Sequence, residues 1–577
     1  MRCLALVLLM CSAAFGQGMA SRGVKSAVRP KPSGRPWNSQ LVNIAKQAGL
    51  TGAIIYGTDK PAVYISETTA GGIAFLDYDN DKWLDIFIVS GTRLDGNPPE
   101  ATNRLYRNNH DGTFADVTEK AGLGRTGWGN GVAVADVDND GNLDLFITYW
   151  GENVLYRNNG NGTFTDITAK SGLTASAKPK YPEWFSGATF LDYDRDGRVD
   201  LFIATYVDFD TSRIPKPGAS PTCNWKGVPT PCGPRGLRPS RQYLYHNRGD
   251  GTFEDVSKPS GIAAAGNCFG LTAVSADLDD DGWPDIYLAC DSTPSLFFHN
   301  NRNGTFTEDG IERGLALNDD GGEQAGMGIA IGDFNADGIL DLFKTHFADD
   351  TQGIFQGLGR GQFVDVTRKA GIDVETRYIA WGVGFPDLDN DGLPDVLVFN
   401  GNVYPGLESE LPAYPYRMPP LLFRNLGEGR FEQLLDDAGG PAIAETHCAR
   451  GAAFGDFDND GDIDVVVWNR NEPPSLLRND VKPGNHWLQV RLTGTKSNRA
   501  AIGARVSISA GGRKQSQSVL SQASFTSAND LRLHFGLGLA TQVEITVRWP
   551  SGVEERFPAP KVDTVVSVIE GSGAARQ

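Results

Sequence analysis

Residues 129–148 read GNGVAVADVDNDGNLDLFIT, and residues 155–168 read LYRNNGNGTFTDIT. The first stretch is an apolar run, a loop of closely spaced aspartates, and a second apolar run rich in β-branched and aromatic residues. Such runs of four to eight residues bounded by turn signals read as strands. The second stretch is a strand, an Asn/Gly turn and another strand, the signature of a hairpin. Together they make one four-stranded unit.

The unit recurs along the chain. Its acidic loop reads DYDNDKWLD from Asp77, with carboxylates at Asp77, Asp79, Asp81 and Asp85. DVDNDGNLD supplies Asp136, Asp138, Asp140 and Asp144, and DYDRDGRVD supplies Asp192, Asp194, Asp196 and Asp200. DLDDDGWPD carries Asp277, Asp279, Asp281 and Asp285, and DFNADGILD carries Asp333, Asn335, Asp337 and Asp341. The last two are DLDNDGLPD (Asp387, Asp389, Asp391, Asp395) and DFDNDGDID (Asp456, Asp458, Asp460, Asp464). Successive starts lie 59, 56, 85, 56, 54 and 69 residues apart. A near-constant period with two enlarged intervals is a repeat architecture carrying insertions. Seven four-stranded units predict an all-β, seven-bladed β-propeller. The ends predict how the ring closes. SLLRND (475–480) is a third strand with no GTF strand after it, and LVNIAKQAGL (41–50) resembles the fourth-strand tail FTDITAKSGL (164–173). The N-terminal segment therefore supplies the missing outer strand of blade seven, which leaves no open sheet edge.

The loop spacing is D-x-[DN]-x-D-G-x-x-D. Side chains at positions 1, 3, 5 and 9 converge on one point. Position 6 is Gly in six copies, where a positive φ is easily adopted, and Lys82 in the first. Hard oxygen donors at this density suit Ca²⁺, which takes six to eight oxygens in flexible geometry. An EF-hand needs Glu at position 12 and flanking helices. Position 12 here is Ile88, Ile147, Ile203, Leu288, Lys344, Val398 or Val467, between strands. The loops are thus expected to be calcium-binding hairpins, about seven structural sites. The chain's net charge is −18, so the 27 aspartates at these positions account for more than the whole acidic excess.

Acidity without a basic patch excludes a nucleic-acid footprint. The first 16 residues read as a secretory signal: Arg2, then CLALVLLMCSAAF, then small residues at the cleavage spacing. No later run is long and apolar enough to span a bilayer, so a secreted protein, extracellular or periplasmic, is expected. In an oxidising compartment Cys223–Cys232 and Cys268–Cys290 are plausible pairs, with Cys448 left over. HExxH, GxSxG and Walker motifs are missing from the sequence, and no catalytic residue is assigned. In a propeller the acidic loops lie on one face, and the connections entering each first strand lie on the other. Those entrances carry Trp128, Trp184, Phe269, Trp381 and Arg450, a candidate ring for a glycan or peptide ligand. Blade-packing aromatics are the competing reading. The functional expectation is a non-catalytic binding or adhesion module for protein or glycan ligands. The alternative is a calcium-dependent carbohydrate-active enzyme on the same scaffold, a polysaccharide lyase or hydrolase.

The repeats resemble FG-GAP/VCBS repeats, the calcium-binding blades of integrin α-subunit propellers, over about residues 41–480. The resemblance implies the same ligand set, the aspartates above plus Asn335. Beyond Asp480 the repeat stops. HWLQVRLTG (486–494), ARVSISAGG (504–512), VEITVRWPSG (543–552) and DTVVSVIE (563–570) predict a small antiparallel, sandwich-like β-domain. NRAAIGARV (498–506), SQASFTSANDLRLHFGLG (521–538) and RWPSG (548–552) resemble the ASPIC/UnbV domain. A propeller followed by that domain is the arrangement of the cartilage acidic protein family. Vertebrate members add a calcium-binding EGF-like module that this sequence does not show, so the resemblance points to a bacterial-type member. The expected organisation is signal (1–16), linker (17–40), propeller (41–480), ASPIC/UnbV domain (481–570) and tail (571–577).

Overall fold

The computed structural model describes residues 19–173 and 182–575. The signal peptide expected at residues 1–16 lies outside them. Seven antiparallel four-stranded sheets follow one another along the chain. The second blade is representative: Gly129–Ala135, Asp144–Tyr149, Val154–Asn158 and Phe164–Asp166, each pairing with the next. Its inner strand is wholly buried, and its outer strand buries Phe164 and leaves Thr165 and Asp166 exposed. The ring closes as the sequence predicts. Leu41–Asn43 pairs antiparallel with Ser475–Asn479, Leu41 opposite Asn479, as the fourth strand of blade seven.

The segment expected as a linker is instead a strap. Val24 N donates to Asp349 O at 2.9 Å, and Arg22 pairs with the buried Asp350 at 2.6 Å. Ser33 N donates to Glu432 at 2.7 Å. These contacts tie residues 19–40 across the fifth and sixth blades. The long third-blade insertion folds inward. Cys223 is bonded to Cys232 within it, and Trp225 is buried against Phe347 and Tyr414 with ring centroids 5.6 and 4.7 Å away.

The C-terminal module has two sheets. His486–Thr493 pairs antiparallel with Leu533–Gly538 and parallel with Thr564–Ile569. Arg505–Ala510 pairs with both Arg513–Ser518 and Val543–Arg548, and Glu554–Phe557 and Ala574–Ala575 extend that sheet. The expected all-antiparallel sandwich therefore contains one parallel pair. Four of the second sheet's five strands lie between the two paired strands in sequence, long enough for the crossover a parallel pair requires. The expected tail contributes the short last strand.

The loop between the module's two sheets enters the propeller axis. Residues 521–530 (SQASFTSAND) bond to the inner strands of all seven blades. Phe75 N donates to Ala528 O at 3.1 Å, Val132 N to Thr526 O at 3.0 Å, and Phe190 N to Ser521 Oγ at 2.7 Å. Thr526 N donates to Thr272 Oγ1 at 3.3 Å, and Ile329 and Ser524 exchange two backbone bonds of 2.7 Å. Val383 N donates to Ser524 Oγ at 3.0 Å, and Asp530 N to Phe454 O at 3.0 Å. Inner strands of a ring expose unpaired backbone groups to the channel; this plug satisfies them.

Candidate metal centres

Every acidic loop is built the same way from its own hydrogen bonds. The position-1 carboxylate accepts from the backbone N of position 6, as from Lys82 to Asp77 at 3.0 Å and from Gly141 to Asp136 at 2.8 Å. The position-9 carboxylate accepts on one oxygen from the N of position 2 and on the other from the third strand. Asp144 receives Val137 N at 2.8 Å and Asn158 N at 2.7 Å. Position 6 has a positive φ in all seven loops, and Lys82 at 75° matches the glycines. The departure from Gly in the first loop therefore leaves the turn intact.

Two features escaped sequence reading. Position 4 is also left-handed in every loop: Asn80, Asn139, Arg195, Asp280, Ala336, Asn390 and Asn459 have φ between 55° and 63°. Four of the seven are asparagine, which tolerates this region better than most residues, so the signal was present. The second is the Asn that ends the LYRN-type strand. Its side-chain amide donates to the position-2 carbonyl of the preceding blade: Asn108 to Phe457, Asn158 to Tyr78, Asn247 to Val137, Asn300 to Tyr193, Asn425 to Phe334 and Asn479 to Leu388, at 2.7–2.9 Å. Blade five has Gly357 at this place.

The expected ligands come together. Ligand atoms of Asp77, Asp79 and Asp85, of Asp136, Asp138 and Asp144, and of Asp192, Asp194 and Asp196 lie within 4.8 Å of one another in each group. Asp77 Oδ1, Asp79 Oδ1, Asp194 Oδ1 and Asp458 Oδ1 are buried without a hydrogen-bond partner. Asn335 turns into its loop, its amide donating to Asp337 at 2.9 Å. Burial, reinforced by neighbouring carboxylates, pushes Asp85 and Asp144 up to about 8, and Asp200 and Asp285 to about 7. Asp341, Asp395 and Asp464 are raised well above the usual range for the same reason. Four carboxylates desolvated together resist ionisation unless a cation joins them. The donor set of hard oxygens fits a calcium ion. Arginines meet part of the charge from outside: Arg107 lies 3.1 Å from Asp79, and Arg157 is 2.8 Å from Asp140.

The C-terminal module sits on this acidic face. Arg548 is 3.0 Å from Asp277, Gln489 Nε2 donates to Asp456 at 2.6 Å, and Ser516 N donates to Asp333 at 3.1 Å. Arg491 stands 3.8 Å from Asp77. These four aspartates are at position 1 of their loops, and Arg505 adds a contact of 3.1 Å to Asp280 at position 4 of the fourth loop.

The candidate ligand ring of Trp128, Trp184, Phe269, Trp381 and Arg450 is buried, none of it more than 9% exposed. Trp381 packs 4.7 Å from Phe525 of the plug and 4.2 Å from the Arg450 guanidinium, and Trp128 meets Tyr56 at 5.3 Å. Arg450 donates to the carbonyls of Thr68, Gly401, Ala449 and Asn402. These residues fill the axis and do not present an open mouth. The disulfides pair as expected, Cys223–Cys232 and Cys268–Cys290, with Cys448 free and buried.

The geometry defines a propeller of acidic-loop blades closed by a plugging β-module. Comparison with known proteins supports the repeat and the C-terminal domain. The FG-GAP-like repeat model matches residues 77–147, 136–203, 236–288 and 277–343, and the ASPIC and UnbV model matches residues 494–575. The chain carries FG-GAP-like repeats followed by an ASPIC/UnbV domain, and it is homologous to cartilage acidic protein 1. It is 24% identical to the mouse protein over 521 residues, 86% of this chain and 73% of that one. It is 23% identical to the human protein over 56% of this chain and 47% of that one. Among solved structures, a lectin of Agrocybe aegerita described as recognising non-reducing terminal N-acetylglucosamine is similar, with TM-score 0.39 and 15% identity. That match covers 71% of this chain and 93% of the lectin. Among the described residues no helix is long and apolar enough to cross a membrane.

Proposed function

We propose that the chain is a calcium-stabilised, non-catalytic binding module of an extracellular or periplasmic compartment, with a protein or glycan partner. The observation that carries the calcium reading is the acidic loop repeated seven times: in the first four copies three donors lie within 4.8 Å of one another, and several of the carboxylate oxygens are buried without partners. Two disulfides support an oxidising location, and the similarity to cartilage acidic protein 1 supports a binding role. The axial mouth is filled, so the partner engages the outer surface of the blades or of the C-terminal module. The carbohydrate-active alternative draws no support from that mouth.

An ion that binds only the folded state adds about 2.7 kcal/mol per site at a hundredfold excess over Kd. Several such sites raise Tm by at least about 10 °C. Differential scanning calorimetry in millimolar calcium and in chelator reads this directly. Equal melting temperatures refute the calcium reading. A glycan and protein array run in both conditions identifies the partner.

A further inference from the structure

The residue before the blade-linking Asn on each third strand varies. It is Arg107, Arg157, His246, His299, Gln356, Arg424 and Arg478 in blades one to seven. In the first two blades the guanidinium meets the loop from outside. In blades three and four an imidazole replaces it and stands among the ligands. His246 Nδ1 is 3.1 Å from Asp200 and 3.4 Å from Asp194. His299 Nδ1 is 3.1 Å from Asp279 and 3.3 Å from Asp285, which is fully buried. Each nitrogen thus bridges the position-3 and position-9 carboxylates. His299 Nδ1 is itself buried, and neither of its contacts has the alignment of an N–H···O hydrogen bond. Ligand atoms of Asp194, Asp200 and His246, and of Asp279, Asp281 and His299, lie within 4.8 Å of one another.

We propose that the third and fourth loops are mixed imidazole–carboxylate sites that take a borderline divalent transition ion, of the zinc class, in preference to calcium. Calcium selects oxygen donors, whereas neutral imidazole suits zinc, copper and nickel. Metal–nitrogen and metal–oxygen bonds of about 2.1 Å place neighbouring donors roughly 3.0–3.4 Å apart for angles between 90° and 109°. The observed spacings of 3.1–3.4 Å fall in that range. His110 differs in position and reach: its Nε2 makes a 2.8 Å hydrogen bond to Asp81 alone, at position 5, whereas His246 Nδ1, which hydrogen-bonds Asp200 at 3.1 Å, also lies 3.4 Å from Asp194. The inference rests on the proposed reading only in treating the same loops as ion sites.

The test uses the full chain, stripped of metal and then saturated with calcium. Zinc is titrated in by calorimetry, and bound metals are counted by mass spectrometry. The wild type is expected to retain two zinc equivalents against excess calcium. The double variant His246→Gln/His299→Gln, which copies blade five, is expected to lose zinc affinity at least about tenfold. Its calcium content at the other five loops and its Tm in calcium are expected to stay unchanged. A variant that holds zinc as tightly as the wild type overturns the inference, as does a wild type that retains no zinc. Both outcomes are separate from failure of the calcium reading, which shows as no bound calcium at any loop.

Discussion

At the scale of single residues, two kinds of side chain build each loop, and they differ in how visible they are. The aspartates and the position-6 glycines were legible because their chemistry is in the residue type and its spacing. Asn158 was not, because its partners are a carbonyl of the preceding blade, Tyr78 O at 2.7 Å, and one of its own, Leu143 O at 3.2 Å. It is fully buried, so Asn158→Ala leaves the buried Tyr78 carbonyl and the part-buried Leu143 carbonyl short of a donor. The expected cost is about 1–3 kcal/mol, read as a lower urea midpoint at unchanged slope; no shift contradicts the blade-linking role. Lys82 shows the opposite limit. The sequence marks it as an anomaly, yet its backbone adopts the glycine conformation and its N–H makes the glycine's hydrogen bond. The ligand ring failed for a third reason: aromatic identity at a blade entrance is equally compatible with an open mouth and a filled one.

At the scale of elements, the blades were readable and the plug was not. Strands announce themselves by apolar runs between turn signals, and all seven blades follow from that. SQASFTSAND has neither helical nor strand periodicity, and its bonding partners are spread over seven other elements. Its anchor is Phe525, 1% exposed against Trp381. Phe525→Ala is expected to destabilise the protein by about 3–5 kcal/mol, measured by denaturant unfolding; a change below about 1 kcal/mol contradicts anchoring. The loops make a further prediction, on pH. In the calcium-free protein Asp85 and Asp144 have folded values of about 8 against an ordinary 3.8. A raised carboxyl value favours the folded state while the group is protonated, and that stabilisation is lost as pH rises through about 8. The chelated protein is therefore expected to melt higher at pH 6 than at pH 8. The calcium-loaded protein is expected to show the reverse, since protons compete with the ion. Parallel pH slopes in the two forms contradict this.

At the scale of the whole molecule, one chain closes a ring, straps its rim and stops its axis. Leu41–Asn43 completes blade seven, the segment from residue 19 crosses the fifth and sixth blades, and the C-terminal module lies on the acidic-loop face with its plug in the channel. Four position-1 aspartates touch both their own loop and the module. The proposed ion sites and the module's docking contacts therefore share side chains, and calcium is expected to raise the stability of propeller and module together in a single calorimetric transition. Two transitions, with only one shifting on calcium addition, contradict the shared rim. Cations are proposed to sit among the converging side chains of these loops. Anomalous scattering from crystals grown in calcium tests it most directly. A peak is expected inside each acidic loop, with the third and fourth matching calcium or a transition ion by their absorption edge. Maps showing only water between the carboxylates of an otherwise closed ring would contradict it.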